Sequence, residues 1–202
     1  GLSKEWAETF GMSEGIPIAM GILDAHAGAV GSGIKNGSLV KIIGTSTCDL
    51  VLGDLHAGNS NIEGVASVAT ESVLPNYYGI EGGQSAVGDI LDWYIKNILK
   101  NSRSHGQLTE DAKKIKVGAS GLIALDWNNG NRCILSDPML SGLIIGQSLQ
   151  TKDFEIYRAL IESTAFGARV IIEDMERQGI VIDDVVNCGG ITHKNPLFMQ
   201  IY

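Results

Sequence analysis

Ile42-Ile43-Gly44-Thr45-Ser46-Thr47-Cys48-Asp49 sets a glycine and a row of small hydroxyl residues between two apolar segments, Leu39 to Ile43 and Leu50 to Leu52. Two strands meeting at such a turn bring backbone N–H groups and hydroxyls to one point. That is the chemistry that holds a phosphate with no bulky side chain in the way. Gly44 permits close backbone approach or a positive φ, and Thr45, Ser46 and Thr47 can donate hydrogen bonds to phosphate oxygens. An ordinary polar hairpin turn uses the same residue types, so the neighbouring segments have to decide.

Upstream, Ile18-Ala19-Met20-Gly21-Ile22-Leu23 reads as a buried strand running into Asp24-Ala25-His26. The small residues from Ala27 to Gly33 would let a helix pack tightly on a sheet. A carboxylate at the end of a buried strand, beside a helix start, is a typical place for a working acid or base in an α/β protein. The plainer alternative is a helix N-cap, which Asp fills well. Near the C-terminus Asp184 to Cys188 reads as a strand that breaks into Gly189-Gly190, with a helix expected from about Asn195. A double glycine at a strand end offers a flat backbone platform and a helix N-terminus to a nucleotide, although such pairs also mark simple turns.

In this order the three segments resemble the C-terminal half of the FGGY carbohydrate kinases. Tyr78-Gly79-Ile80-Glu81-Gly82-Gly83-Gln84-Ser85 and Gly121 to Arg132, with its Asn128-Asn129-Gly130-Asn131-Arg132, are similar to members of that family as well. The likeness runs from about Gly15 to Tyr202, and Gln147 departs from it where relatives more often carry an aliphatic residue. It implies an α/β fold: an actin-like ATPase (RNase H-like) domain with a mixed five-stranded sheet flanked by helices. Residues 1–202 would be the C-terminal domain of a two-domain sugar kinase.

The chain opens at Gly1 without an initiator Met and stops inside the helix expected after Gly190. An N-terminal domain with an Asp-x-Gly-Thr-Ser loop is therefore expected elsewhere. The Gly-Thr-Ser here follows Ile42 where that loop has its Asp, and so resembles the second, metal-free phosphate loop. The resemblance further implies ATP-dependent phosphorylation of a sugar hydroxyl, with L-ribulose as the leading substrate, in arabinose catabolism. Asp24 would be the catalytic base and a sugar contact, and Glu81 a second sugar contact; as an alternative, Glu81 is a loop carboxylate in solvent. Gly44, Thr45 and Ser46 would hold the β- and γ-phosphates, and Gly189, Gly190 and Asn195 would frame the adenosine. Mg²⁺ would accompany ATP without a metal site of this chain's own.

Composition fits this reading. A length of 202 residues suits one domain with a substantial core. The sequence shows no apolar run of membrane-spanning length and no basic-then-apolar leader. A formal charge of −8, with 15 scattered Lys and Arg, disfavours nucleic acid and anionic membranes as partners. The basic cluster Lys113-Lys114-Ile115-Lys116 reads as a solvated helix face. Three cysteines without a Cys-x-x-Cys pair point to a reducing compartment, the cytoplasm, and away from zinc or a disulfide framework. Assembly into a homo-oligomer stays open.

Two helices are strongly patterned. Gln84 to Lys100 places Val87, Leu91, Tyr94 and Ile98 on one stripe; Asp153 to Arg177 does the same with Tyr157, Leu160, Thr164, Ala168, Ile171 and Met175. Thr151 is expected to cap the second helix and Gly179 to follow it. Asn101 to Asp111 reads as a surface loop between helices, and Gly121 to Leu125 and Leu143 to Ile145 as buried strands. Two other functions compete with the kinase. A non-enzymatic nucleotide-binding domain of the same fold would not need Asp24. A serine hydrolase is suggested by Gly83-Gln84-Ser85-Ala86-Val87, but Val87 stands where the nucleophile elbow needs glycine, and only His193 lies in a partner-like setting.

Overall fold

The computed structural model describes residues 1–56 and 61–202. In chain order the elements are α1 (Lys4–Phe10), α2 (Asp24–Gly31), β1 (Ser38–Ile43), β2 (Thr47–Asp54), β3 (Ser67–Thr70) and β4 (Tyr77–Gly82). Then follow α3 (Gly88–Trp93), which continues as a π-helical turn over Tyr94–Ile98, α4 (His105–Ala112), β5 (Ile123–Leu125) and β6 (Leu143–Ile145). The long α5 (Asp153–Arg177), β7 (Asp184–Cys188), α6 (Gly190–Lys194) and α7 (Pro196–Ile201) complete the order.

Five strands form one mixed sheet in the order β3-β4-β2-β1-β7. Every pairing is antiparallel except β1 with β7, which runs parallel with Ile42 opposite Cys188. The expected α/β fold with a mixed sheet and flanking helices is what the chain adopts. Strand β1 is covered on both faces, and its alternation shows how: Leu39 packs with Val51, Ile80, Ile171 and Met175 on the α5 side, while Val40 packs with Ala29, Leu50 and Leu52 on the α2 side. A third cluster, with Ile43, Ile90, Leu108, Tyr157, Leu160 and Phe198, joins α3, α4, α5 and α7 at the end of β1 where the Gly44 turn lies.

Helix α5 has the expected bounds, and its predicted stripe is buried throughout. Its N-cap is Lys152 rather than Thr151: Glu155 accepts the Lys152 N–H at 2.7 Å, and Thr151 Oγ1 instead accepts from the Ser148 amide at 2.9 Å. Gly179 follows the helix with a φ of 89°, as expected.

Four expectations are corrected. The run Ile18–Leu23 is not a buried strand: among the described residues it pairs with no other strand, and its side chains are exposed, Met20 by 91%. Its apolar alternation has nothing in the described residues to pack against. The helix expected from Gln84 begins only at Gly88, because the preceding backbone is committed to the Gly44 turn. Gln84 exchanges bonds with Thr47, and the Val87 and Gly88 amides donate to the Thr45 and Gly44 carbonyls at 2.8 and 3.1 Å. The expected loop over Asn101 to Asp111 holds α4, started by a capping box in which Ser104 and Gln107 satisfy each other's amides. Strands β5 and β6 exist but form a separate two-stranded ribbon with Ile123, Leu143 and Ile145 exposed; only Ala124 and Ile144 face the core.

Candidate active site

The Gly44 turn opens onto a cavity of about 560 Å³ whose wall includes Gly44, Thr45, Gly88, Tyr157, Lys194 and Asn195. The turn from β1 to β2 thus meets the junction of α6 and α7 across one space. Its geometry depends on Gly88: a Cβ there would lie 2.6 Å from the Gly44 carbonyl oxygen, so α3 could not dock on the turn. Ser46, expected beside Gly44 and Thr45, is half-buried and does not line this cavity. A larger cavity of about 960 Å³ lies over Lys41, Arg158 and Glu162 and is lined by none of the expected site residues.

The two glycines after β7 have different jobs. Gly189 has a φ of 108°, and a Cβ on it would collide with the Ile43 carbonyl oxygen, so this position is glycine because β1 and β7 converge there. Gly190 begins α6, and a Cβ on it would point into open space. Asn195 caps α7, its Oδ1 accepting the Phe198 amide at 3.1 Å, while its Nδ2 donates to the Tyr157 hydroxyl at 3.4 Å. Tyr157 also stands 3.0 Å from His105 Nδ1. Burial pushes the Tyr157 phenol up and the His105 imidazole down, so the phenol keeps its proton and Nδ1 can accept it. His105 and Tyr157 thereby support Asn195 at the cavity wall. Sequence reasoning missed both roles; the Ser104-x-x-Gln107 capping box was the available signal for a helix presenting His105.

On the opposite side of β1, α2 lies over the sheet at Gly28, where a Cβ would come within 3.3 Å of Ile42 Cδ1. Asp24 is the first residue of that helix and exposed; Leu23 is the N-cap, and Asp24 Oδ1 accepts the Ala25 amide at 2.8 Å. Two residues further along α2 is His26, whose Nε2 lies 3.7 Å from Glu81 Oε2. Glu81 is a strand residue of β4 with a side chain 22% exposed, so the alternative of a loop carboxylate in solvent does not hold. Cys48 of β2 adjoins the same carboxylate: its thiol is pushed up to about 12, first by burial and then by the charge of Glu81 and a hydrogen bond to it. Such a thiol stays protonated and inert as a nucleophile.

The expected residues therefore fall into two groups. Gly44, Thr45 and Asn195 share one cavity, which Gly189 and Gly190 do not line; Glu81 lies beside His26 of α2, the helix that Asp24 begins. Arg132, quoted in the sequence only for its surrounding motif, donates to the carbonyls of Thr47 at 2.5 Å and Gly82 at 3.5 Å, tying the hairpin to β4. Ser85 lies in a non-helical stretch and lines a different cavity with Asn129, Asn131 and Arg132. A Cβ on the neighbouring Gly83 would collide with the Thr47 carbonyl oxygen, so this glycine serves strand packing.

Known proteins agree with this architecture. Residues 39–202 match the FGGY family of carbohydrate kinases, C-terminal domain. Over its whole length the chain is 43% identical to a ribulokinase of Halalkalibacterium halodurans and 41% to one of Mycolicibacterium smegmatis, covering 37% of each. Among solved structures, a xylulose kinase from Rhodospirillum rubrum superposes with a TM-score of 0.81 at 25% identity, over 98% of this chain and 39% of that one. A Plasmodium falciparum glycerol kinase with ADP shares the fold, with a TM-score of 0.68 at 21% identity over 88% of this chain and 35% of that one. The chain thus spans 37% of the length of the ribulokinases it matches. With a family match across most of its residues and close relatives along all of them, the chain belongs to the FGGY family of carbohydrate kinases.

Proposed function

We propose that this chain supplies the nucleotide pocket and the proton-accepting carboxylate of an ATP-dependent sugar kinase, acting on L-ribulose to give L-ribulose 5-phosphate in arabinose catabolism. The observation that carries it is the shared cavity: Gly44 and Thr45 on one wall and Asn195 on another enclose about 560 Å³, a volume within the usual range for a small-molecule site. The substrate follows from the ribulokinase relatives.

In this reading the phosphates of ATP lie against Gly44, Thr45 and the nearby Ser46, and the adenosine against the Gly189-Gly190 platform and Asn195. Asp24 accepts the proton of the primary sugar hydroxyl as the γ-phosphoryl group moves in line to its oxygen, and Glu81 binds a further sugar hydroxyl. A carboxylate is a weak base, so Asp24 contributes by aiming the hydroxyl and taking the proton late. Among the described residues no group of three or more His, Cys, Asp or Glu is arranged around a single point. Mg²⁺ would arrive with the phosphates and be held largely by them and by water. Three free cysteines suit a reducing cytoplasm, and no helix among the described residues is long and apolar enough to cross a membrane.

The test is a coupled ADP-release assay on the full-length protein with ATP, Mg²⁺ and a panel of ketoses and polyols. L-ribulose should give the highest kcat/KM. Turnover with no sugar in the panel, while ATP still binds, would favour a non-enzymatic nucleotide-binding domain instead.

A further inference from the structure

His26 sits between two acceptors. Its Nδ1 lies 3.0 Å from the Ser72 carbonyl oxygen, and a carbonyl only accepts, so the ring carries a proton on Nδ1. Its Nε2 has no hydrogen-bond partner among the described residues and faces Glu81 Oε2 at 3.7 Å. The residue is 8% exposed, and a buried ring nitrogen left unmatched in a native protein calls for an explanation. The gap is too long for a hydrogen bond but short enough for side-chain rotation to close, and the closed contact is a hydrogen bond only when Nε2 carries a proton as well, so the ring that orients Glu81 is the one protonated on both nitrogens. On its other flank the Glu81 carboxylate meets the Cys48 thiol, which stays protonated and able to donate. One carboxylate is thus bordered from α2 and β2, and the α2 neighbour lies two residues from Asp24.

We propose that His26 is a positioning residue for the sugar side of the site, orienting the Glu81 carboxylate through Nε2 and anchoring the first turn of α2, and with it Asp24, through Nδ1. This rests on the kinase reading above and gives the two sugar-side carboxylates a common anchor. His26 itself touches neither phosphate nor the reacting hydroxyl.

Two conservative replacements separate its contacts. The amide nitrogen of Gln reaches where Nε2 stands, whereas that of Asn reaches only where Nδ1 stands. In the full-length enzyme, KM for sugar and for ATP, kcat and melting temperature are measured for His26→Ala, His26→Gln and His26→Asn, and for His26→Ala combined with Glu81→Gln. His26→Ala should raise the sugar KM on the order of tenfold, about the loss of one hydrogen bond to a charged group, and leave the ATP KM unchanged. His26→Gln should restore most of the sugar KM; His26→Asn, which keeps the Ser72 contact that anchors Asp24, should restore kcat and the melting temperature but not the sugar KM. In the Glu81→Gln background His26→Ala should change the sugar KM no further but should still lower kcat, because the Ser72 contact that anchors Asp24 is lost. Rescue of the sugar KM by Asn in place of Gln, an ATP KM rising in step with that of sugar, or a sugar KM fully additive with Glu81→Gln would overturn the assignment. Glu81→Gln alone with an unchanged sugar KM would remove its premise, while an unaltered enzyme with no sugar-dependent turnover would sink the kinase reading itself.

Discussion

Asp24 and Gly190 carry the two halves of the proposed chemistry, and each can be tested by one substitution. Asp24 is exposed at the start of α2, and one oxygen is engaged only by the adjacent Ala25 amide, which leaves lone pairs for a hydroxyl. Asp24→Asn keeps the shape and removes the proton acceptor. In the full-length protein kcat should fall by about 10²- to 10⁴-fold, the usual contribution of a general base, with ATP affinity nearly unchanged. A variant that keeps more than a tenth of the turnover would show that another group takes the proton. Gly190 is different: a Cβ on it meets nothing, so a larger side chain fits without disturbing the fold and, on the proposed reading, would crowd the adenosine. Gly190→Val should weaken binding of a non-hydrolysable ATP analogue by calorimetry while the protein stays folded; unchanged affinity would place the nucleotide elsewhere. Gly189 cannot serve this test, because any side chain there collides with β1 and would confuse misfolding with lost binding.

At the scale of elements, the pairing of β1 with β2 contains an ion pair that the sequence pattern hides. Lys41 and Asp49 are opposite each other in register, 1% and 0% exposed, with Nζ 2.5 Å from Oδ2. Asp49 Oδ1 has no partner among the described residues. Removing one member of such a pair leaves a buried charge, which costs about 3–5 kcal/mol, whereas replacing both by apolar residues of similar size is often neutral or better. Lys41→Met should therefore destabilise strongly in urea denaturation, and Lys41→Met with Asp49→Leu should recover most of the loss. Equal destabilisation by the single and double variants would mean that the pair itself holds the hairpin. Its charge alone would put Lys41 in solvent, yet strand alternation sets it with Leu39 on the α5-facing side. The same limit explains which elements were legible. The hairpin, β7 and α5 could be read because their cores are local: β-branched runs closed by Gly44 or Gly189, and one apolar stripe from Tyr157 to Met175. The start of α3 could not, since it is set by carbonyls of a turn far away in sequence. Helix α4 was hidden because its His-Gly-Gln-Leu-Thr-Glu-Asp-Ala sequence has a small apolar stripe and a strong signal only in its cap. The proximity of His26 and Glu81 escaped for a related reason: nothing along the chain brings them together, and they meet only because α2 packs across β1 and β2.

The molecule as a whole has a sheet whose central strands are well buried and whose edges are not. Strands β1 and β2 are covered on both faces, and α5 is buried along its stripe, so residues 1–202 should fold at least in part when expressed alone. The run from Ile18 to Leu23 points the other way, with apolar side chains in solvent immediately before Asp24. Asp24 and Glu81 also lie outside the cavity that Gly44, Thr45 and Asn195 share. In-line transfer requires nucleotide, metal and sugar hydroxyl to be held together, and that positioning accounts for about 7–11 kcal/mol of a reaction barrier. The chain covers 37% of its ribulokinase relatives; if the proposed kinase completes its cleft with residues outside 1–202, these residues alone should bind ATP weakly and phosphorylate no sugar. The measurement is the same ADP-release assay, run on residues 1–202 and on the full-length protein side by side, with circular dichroism to confirm that the shorter chain is folded. Sugar-dependent turnover by the folded short chain, at a rate near that of the full-length protein, would mean that one domain carries the whole active site and that the exposed Ile18–Leu23 run has no part in completing it.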